Sequence, residues 1–360
     1  MRFELLDPAD PVWLETLAVS EHDVYHRPEW ALGHAKHDDG RARSIHVTDG
    51  TSHLLMPIIQ RSMGDGYWDA ISPYGYASPV VSEGAPASFV SASLDHAIEQ
   101  LQKAGCVSLF SRQHPLLELP VRVPVGRVVD HGTTVSVDLS LPPEVLWQRT
   151  RKGHRSDISR AHRAGIVVQR DLLKEHLRVF VDLYHATMRR VGATDYYFFS
   201  REDIVTLSEL LGPMLELWIA IESGAVIGGA LFLFARQSGI VQYHLSASSE
   251  AGADRQPAKV LLDAVRQNAK DRGYQRLHLG GGLGAQADSL LQFKSGFATD
   301  SHPYRSWQVV VDSAQYSSLC NKVSQQTRAS SGYFPAYRSP STGVSHDPGS
   351  AHRTPPNRDL

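Results

Sequence analysis

Apolar positions along this 360-residue chain switch repeatedly between a period near 3.6 and a period of two, the pattern of amphipathic helices interleaved with half-buried strands. Helical spacing predicts helices at 28–36 and 85–104, and apolar alternation predicts strands at 42–47, 53–60 and 106–111. The run TTVSVDL at 133–139 is a further strand, followed by Ser140, Pro142 and Pro143. A serine that can cap free amides and prolines that fit the first turn predict a single helix over 142–164, stopped at Gly165. Beyond it the pattern predicts a strand at 167–170, helices at 174–190 and from Arg201, and strands at 215–221 and 225–235. Glu222, Ser223 and Gly224 join that strand pair with hairpin chemistry. A strand at 239–246, a helix at 257–272, a strand at 276–279 and a short helix at 288–294 complete the pattern. No short repeat of fixed period runs through it, so the fold class is mixed α/β or α+β.

Composition narrows this only a little. A hydrophobic fraction of 42%, a charged fraction of 21% and a formal net charge of −2 are those of a globular protein and exclude a chain disordered throughout. Cys106 and Cys320 are the two cysteines, which argues against a disulfide framework or a cysteine-rich zinc site and for a reducing, cytoplasmic setting. Both are expected as small buried hydrophobes. The start, MRFELLDPADP, lacks the basic region and apolar run of a secretory signal. The uncharged stretch 223–235 is shorter than the roughly 20 residues of a membrane span. From Ser339 onward the chain is rich in proline and contains no aromatic residue, so 339–360 is expected to be a disordered tail. The 18 histidines are scattered without zinc spacing, and neither a metal nor a cofactor is expected.

Local charge changes the picture more than the total does. Between Arg149 and Arg163 six arginines and lysines stand against one acid, Asp157. A solvated helix face is one reading of this cluster, but Arg151, Lys152 and Arg155 on one side of a helix suit a phosphate-bearing ligand, RNA or a pyrophosphate. Gly280, Gly282 and Ala285 formally match a dinucleotide-binding pattern, but the second strand and acidic residue of such a fold do not follow. A glycine-rich loop that lets backbone or ligand approach closely is preferred. Lys294 lies between Phe293 and Phe297, either as a snorkelling edge residue or as a partly buried cation aimed into a site, where it would stabilise a developing oxyanion.

The order helix, antiparallel hairpin, helix, strand in the second part is the layout of a GNAT-type acyltransferase domain. Several stretches together resemble the Fem family of nonribosomal peptidyltransferases and its GNAT-like bacterial relatives: HDVYHRPEW (His22 to Trp30), TTVSVDLSLPPEVLWQRTRKGHRSDISRAHRAGI, LYHATMRRVGATDYYFF, VIGGALFLF, YHLSASS, LLDAVRQNAKDRGYQRLHLGGG, LLQFKSGF and GYFPAYR (Gly332 to Arg338). Their order and spacing carry the likeness, which spans nearly everything up to Arg338. It implies two tandem GNAT-like subdomains, each a mixed, largely antiparallel sheet flanked by helices. One is 1–140 completed by 310–338, and the other is 141–309 with the active site.

The resemblance further implies an aminoacyl-tRNA donor and an amine acceptor on a peptidoglycan precursor or a natural-product intermediate. Phe293 and Lys294 match the family's catalytic motif, with the lysine stabilising the tetrahedral intermediate. Arg151, Lys152 and Arg155 fall in its basic helix region. Tyr74, Tyr76, Tyr196 and Tyr197 would line the acceptor groove or serve as core aromatics. Tyr243 and His244 lie where GNAT domains open their sheet, which makes His244 a candidate for proton handling. An alternative donor is acyl-CoA, with an amino sugar or similar small amine as acceptor. CoA-binding loops offer free glycine amides at a helix start, however, whereas this chain has Arg255, Pro257 and Ala258 there. A non-catalytic binding protein that keeps a basic groove is a second alternative.

Overall fold

In the computed structural model, which describes residues 1–119, 121, 123, 125–283, 286–324 and 333–339, the alternating pattern becomes thirteen strands and ten α-helices among the described residues. The first part runs β1 (Arg2–Leu6), α1 (Pro11–Ala18), α2 (Pro28–Ala35), β2 (Arg41–Thr48), β3 (His53–Gly64), β4 (Tyr67–Ile71), β5 (Val80–Val81), α3 (Ala87–Lys103), β6 (Cys106–Arg112) and β7 (Arg127–Asp138). The second runs α4 (Pro143–Arg149), α5 (Lys152–Arg163), β8 (Val167–Asp171), α6 (Leu177–Arg190), α7 (Arg201–Leu211), β9 (Leu215–Glu222), β10 (Ala225–Ala235), β11 (Ile240–Ser248), α8 (Pro257–Asp271), β12 (Arg276–Gly280), α9 (Ser289–Lys294), β13 (Asp300–Val310) and α10 (Ser313–Ser324).

Three local expectations are corrected. The helix expected over 142–164 is two, because Thr150 turns extended and its hydroxyl takes the Leu146 carbonyl at 2.8 Å. Arg266 of α8 holds that kink by donating to the Thr150 hydroxyl at 2.8 Å. Ser140 caps nothing, since its hydroxyl donates to Asp138 at 2.6 Å and Pro142 occupies the cap position of α4. Cys106 is buried, as expected, but Cys320 is only half-buried on α10. The Gly280, Gly282, Ala285 pattern includes Ala285, and the expected tail includes 340–360, both outside the described residues.

The strands form one mostly antiparallel sheet flanked by helices, in the order β1-β2-β3-β4-β6-β13-β7-β12-β11-β10-β9-β8, with β5 added beside β3. Two neighbouring pairs are parallel, β4 with β6 and β11 with β12, and each pair is joined by the helix that follows its first strand, α3 or α8. The next strands cross over. β7, which follows β6 in the chain, pairs with β12, while β13, which follows β12, pairs with β6. The two then pair with each other at the centre of the sheet. Each half thus completes its sheet with a strand drawn from the other side of the chain. Apolar clusters fill the sheet's two faces, one joining α5 and α8 to the second half and another joining α6 and α7 to residues around α2.

The C-terminal segment 333–339 closes over the first half through a buried carboxylate. Asp69 on β4 is fully buried and accepts from Arg61 at 2.7 Å, from Arg338 at 2.6 Å and from the Tyr337 hydroxyl at 3.1 Å. The Tyr337 hydroxyl also meets Ser108 of β6 at 2.7 Å. Removing one partner of such a cluster strands the others away from water. Asp69→Ala is therefore expected to cost about 3 kcal/mol of unfolding free energy in urea titration, and a loss under about 1 kcal/mol would show that the clasp is not structural.

Candidate functional site

The site forms where the two parallel pairs part. On β11 and β12 the last paired residues are Gln242 and His278, and beyond them the strands diverge, β11 carrying Tyr243 and His244 and β12 carrying Gly280. In the first half the corresponding gap is closed by Ser72, whose hydroxyl accepts from the Arg112 amide at 3.0 Å and whose carbonyl accepts from the Arg112 guanidinium at 3.1 Å. Just past that closure, Tyr74 and Tyr76 after β4 and His114 after β6 lean toward the opening in the second half.

Lys294 is brought there by α9. Asp288 caps this short helix by accepting from the Leu291 amide at 2.8 Å, and its other oxygen holds the Leu283 amide at 2.8 Å. The Lys294 ammonium donates to the Gly281 carbonyl at 2.7 Å. Gly280 has φ +76°, and a Cβ there would lie 3.4 Å from Lys294 Nζ and 3.8 Å from the Tyr76 hydroxyl oxygen. The bare backbone of Gly280 therefore faces a space bounded by a cation and a phenol. Burial pushes the Lys294 amine down to about 8, against a small upward pull from Asp288. Its one bond among the described residues leaves two N–H groups for a ligand.

Beside this cation lies a buried hydrogen-bonded chain that the sequence patterns did not single out. His114 Nδ1 accepts from the amides of Leu116 and Leu117, both at 3.1 Å, so its proton sits on Nε2 and is donated to Asp23 at 3.1 Å. Asp23 also accepts from the Gln242 amide nitrogen at 2.7 Å, which leaves the Gln242 oxygen to accept from His278 Nδ1 at 2.6 Å. Burial works to raise the Asp23 carboxyl, but the bonds from His114 and Gln242 hold it below the usual carboxylate range. The only local signal for Gln242 and His278 is polarity inside otherwise apolar strands, IVQYHL and RLHLG.

The remaining expected residues distribute as follows. Tyr76 packs edge-on against the His278 ring, 5.3 Å between centroids, and touches Tyr25, His114 and Tyr304. Tyr74 and His244 meet at 5.9 Å in a neighbouring aromatic pocket with Trp30, His34, Tyr196 and Phe199. Burial drives the His244 imidazole down to about 3, so this ring is neutral at physiological pH. Tyr197 adjoins Tyr196 at the rim of that pocket. Tyr243 turns to the opposite face of β11 against Phe232, apart from the pocket, and burial raises its hydroxyl to about 12.

Phe293 packs on His154 and Phe297, and its carbonyl accepts from His154 Nε2 at 2.9 Å. With the Arg151 amide donating to the Gly296 carbonyl at 2.8 Å, this fastens the basic helix α5 directly to the Lys294 helix. Arg151 and Lys152 are exposed at the start of α5. Arg155 does not join them, because its guanidinium turns back to the Trp147 and Gln148 carbonyls at 3.2 and 2.8 Å, ending α4. Among the described residues no group of three His, Cys, Asp or Glu is placed to hold a metal ion, and no helix is long and apolar enough to cross a membrane.

The buried ammonium has a stability signature. Lys294 releases its proton near pH 8 when folded and near its ordinary 10.5 when unfolded. Between these values the unfolded chain binds more protons, so stability rises with pH. Relative to Lys294→Met, the wild-type chain is expected to gain unfolding free energy between pH 8 and pH 10 in urea titrations. A constant difference between the two proteins would contradict a buried charge.

Comparison with known proteins bears on the fold. Residues 148–294 match the acetyltransferase (GNAT) domain family. No curated protein matches the sequence. Among solved structures the chain is similar to FemX, with a TM-score of 0.66 at 15% identity, covering 88% of this chain and 99% of that one. It is also similar to L-PGS from Bacillus licheniformis, with a TM-score of 0.51 at 15% identity over 90% of this chain and 98% of that one. A conserved protein of unknown function from Bacteroides thetaiotaomicron superposes with a TM-score of 0.54 at 11% identity over 86% and 99%. The chain has the fold that these proteins share, FemX among them, and its residues 148–294 match the acetyltransferase (GNAT) domain family.

Proposed function

We propose that this protein is a cytoplasmic amide-forming acyltransferase that moves an aminoacyl group from aminoacyl-tRNA to an amine on a small acceptor, a peptidoglycan precursor or a natural-product intermediate. We assign residues 1–140 with 310–338 to one GNAT-like subdomain and 141–309 to the other, the two exchanging β7 and β13 at the centre of the sheet. The observation that carries the reading is the Lys294 ammonium, half-buried beside the bare backbone of Gly280 at the parting of β11 and β12. An aminoacyl ester is already activated, so its aminolysis requires positioning, removal of a proton and stabilisation of the oxyanion, with no covalent nucleophile or cofactor. Lys294 would donate to the carbonyl oxygen as it gains charge, in a dry setting where such a bond is strong. The exposed Arg149, Arg151 and Lys152 near the start of α5, fastened to the same helix α9, would meet the phosphates of the donor.

The start of α8 favours tRNA over acyl-CoA. Pro257 stands at its first turn and lies so close to Gly228 that a Cβ there would be 2.7 Å from the Pro257 ring. Pro257 has no amide hydrogen to offer a pyrophosphate, and the Lys259 amide is bonded to the Gln256 carbonyl at 3.0 Å. Arg255 is paired with Glu222 at 3.0 Å. Tyr74, Tyr196, Tyr197 and His244 would line the acceptor side, and Tyr76 the reacting centre.

In a reconstituted reaction with charged total tRNA and candidate amines, followed by product mass, ribonuclease is expected to stop turnover and acetyl-CoA to fail as donor. Persistence after ribonuclease would move the assignment to the CoA-dependent class. Lys294→Ala is expected to lower turnover by about 10²–10³-fold or more with the fold intact; turnover at the wild-type level would remove Lys294 from the chemistry. Because the protonated form is the active one, wild-type turnover is expected to fall as pH rises through about 8.

A further inference from the structure

His278 is 1% exposed and its two ring nitrogens have different fates. Nδ1 faces the Gln242 oxygen at 2.6 Å, and that oxygen can only accept, because the amide nitrogen of the same side chain is committed to the Asp23 carboxylate at 2.7 Å. The proton of His278 therefore resides on Nδ1. Nε2 carries a lone pair that is buried and has no hydrogen-bond partner among the described residues. An unpaired buried acceptor costs free energy, and the ring that carries it packs on Tyr76, 5.3 Å between centroids, whose hydroxyl flanks the backbone of Gly280 together with Lys294. The orientation is over-determined. Gln242 and His278 are directly paired across the parallel strands, Gln242 is fixed by Asp23, and Asp23 is fixed in turn by His114 and by the Val24 amide.

We propose that His278 Nε2 accepts the proton of the attacking amine, and that Asp23, His114 and Gln242 are positioning residues that hold the imidazole in the required tautomer. The step rests on the acyl-transfer reading above. The amine nitrogen bonds to the ester carbonyl carbon while its proton moves to Nε2, and the carbonyl oxygen gains charge beside Lys294. The tetrahedral intermediate then breaks its carbon–oxygen ester bond, and the leaving ribose oxygen takes the proton from Nε2. One amide and one free tRNA 3′ end result, and His278 is neutral again.

Burial, with the nearby His114, Lys294 and His302, keeps the imidazole well below its ordinary value against the pull of Asp23, so the lone pair is present throughout the physiological range. The Gln242 amide lies between His278 and the Asp23 carboxylate, so the carboxylate orients the ring without contacting it. His244, the histidine singled out from the sequence, lies instead in the neighbouring aromatic pocket.

Two measurements test the proposal. Histidine side-chain ¹H–¹⁵N spectra of the wild-type protein, with His278→Gln to assign the signal, are expected to show His278 protonated on Nδ1 and not titrating between pH 6 and pH 8. A proton on Nε2 would overturn the proposal whatever the donor is. In the transfer assay, His278→Ala and His278→Gln are each expected to lose about 10²-fold or more in kcat with donor KM within about threefold, and added imidazole should restore part of the His278→Ala activity. Gln242→Leu should lose kcat while keeping donor KM. Wild-type kcat in both His278 variants would overturn the base and leave aminoacyl transfer standing. Wild-type turnover with acetyl-CoA and none with charged tRNA would overturn the donor assignment, while losses in the variants would still support the base.

Discussion

The architecture of the site depends on one buried carboxylate. Asp23 is fully shielded from water, and an ionised group in that position is tolerated only if its oxygens are satisfied. The donors come from three parts of the chain: the Val24 amide in the adjoining turn, His114 beyond β6 and Gln242 on β11. Because the last of these belongs to the second half, the carboxylate ties the N-terminal segment to the strand edge where the sheet opens. Losing any donor would leave a buried charge underbonded, so the constraint sets the position of β11 relative to the first half and fixes the tautomer of His278.

The sheet supplies the rest by its connectivity. Exchange of β7 and β13 places the two parallel pairs on either side of a shared centre, so that both partings face one another. In the first half Ser72 and Arg112 seal the parting, whereas in the second the strands stay open between Gln242, His278 and Gly280. A neutral imidazole lone pair and a lysine ammonium of lowered pKa flank that opening. The pairing of a proton acceptor with an oxyanion donor in low dielectric is the requirement of ester aminolysis.

Much of the architecture was legible in the sequence because it is written in local periodicity. The β9–β10 hairpin forms with Ser223 and Gly224 both at positive φ, as a tight two-residue turn requires, and α3, α6 and α8 lie within a few residues of their expected spans. The aromatic flanks of Lys294 left two readings open, a snorkelling edge residue or a partly buried cation, and periodicity could not choose between them. What periodicity could not supply was anything set by distant partners. The break between α4 and α5 depends on Arg266, more than a hundred positions away. Asp23, His114, Gln242 and His278 form no motif, and they meet only because the central strands cross over. Arg155 likewise shares a charge cluster with Arg151 and Lys152, yet carbonyls at the end of α4 claim it.

The central claim is that the acyl carbonyl sits between Lys294 and His278, at the backbone of Gly280. Its most direct test is a crystal structure with an amide-linked, hydrolysis-resistant 3′-aminoacyl adenosine analogue. The account predicts the analogue's carbonyl oxygen within hydrogen-bond distance of Lys294 Nζ, its carbonyl carbon facing the space next to His278 Nε2, and its adenosine directed toward α5. A carbonyl bound in the aromatic pocket of Trp30 and His244, away from Lys294, would contradict it.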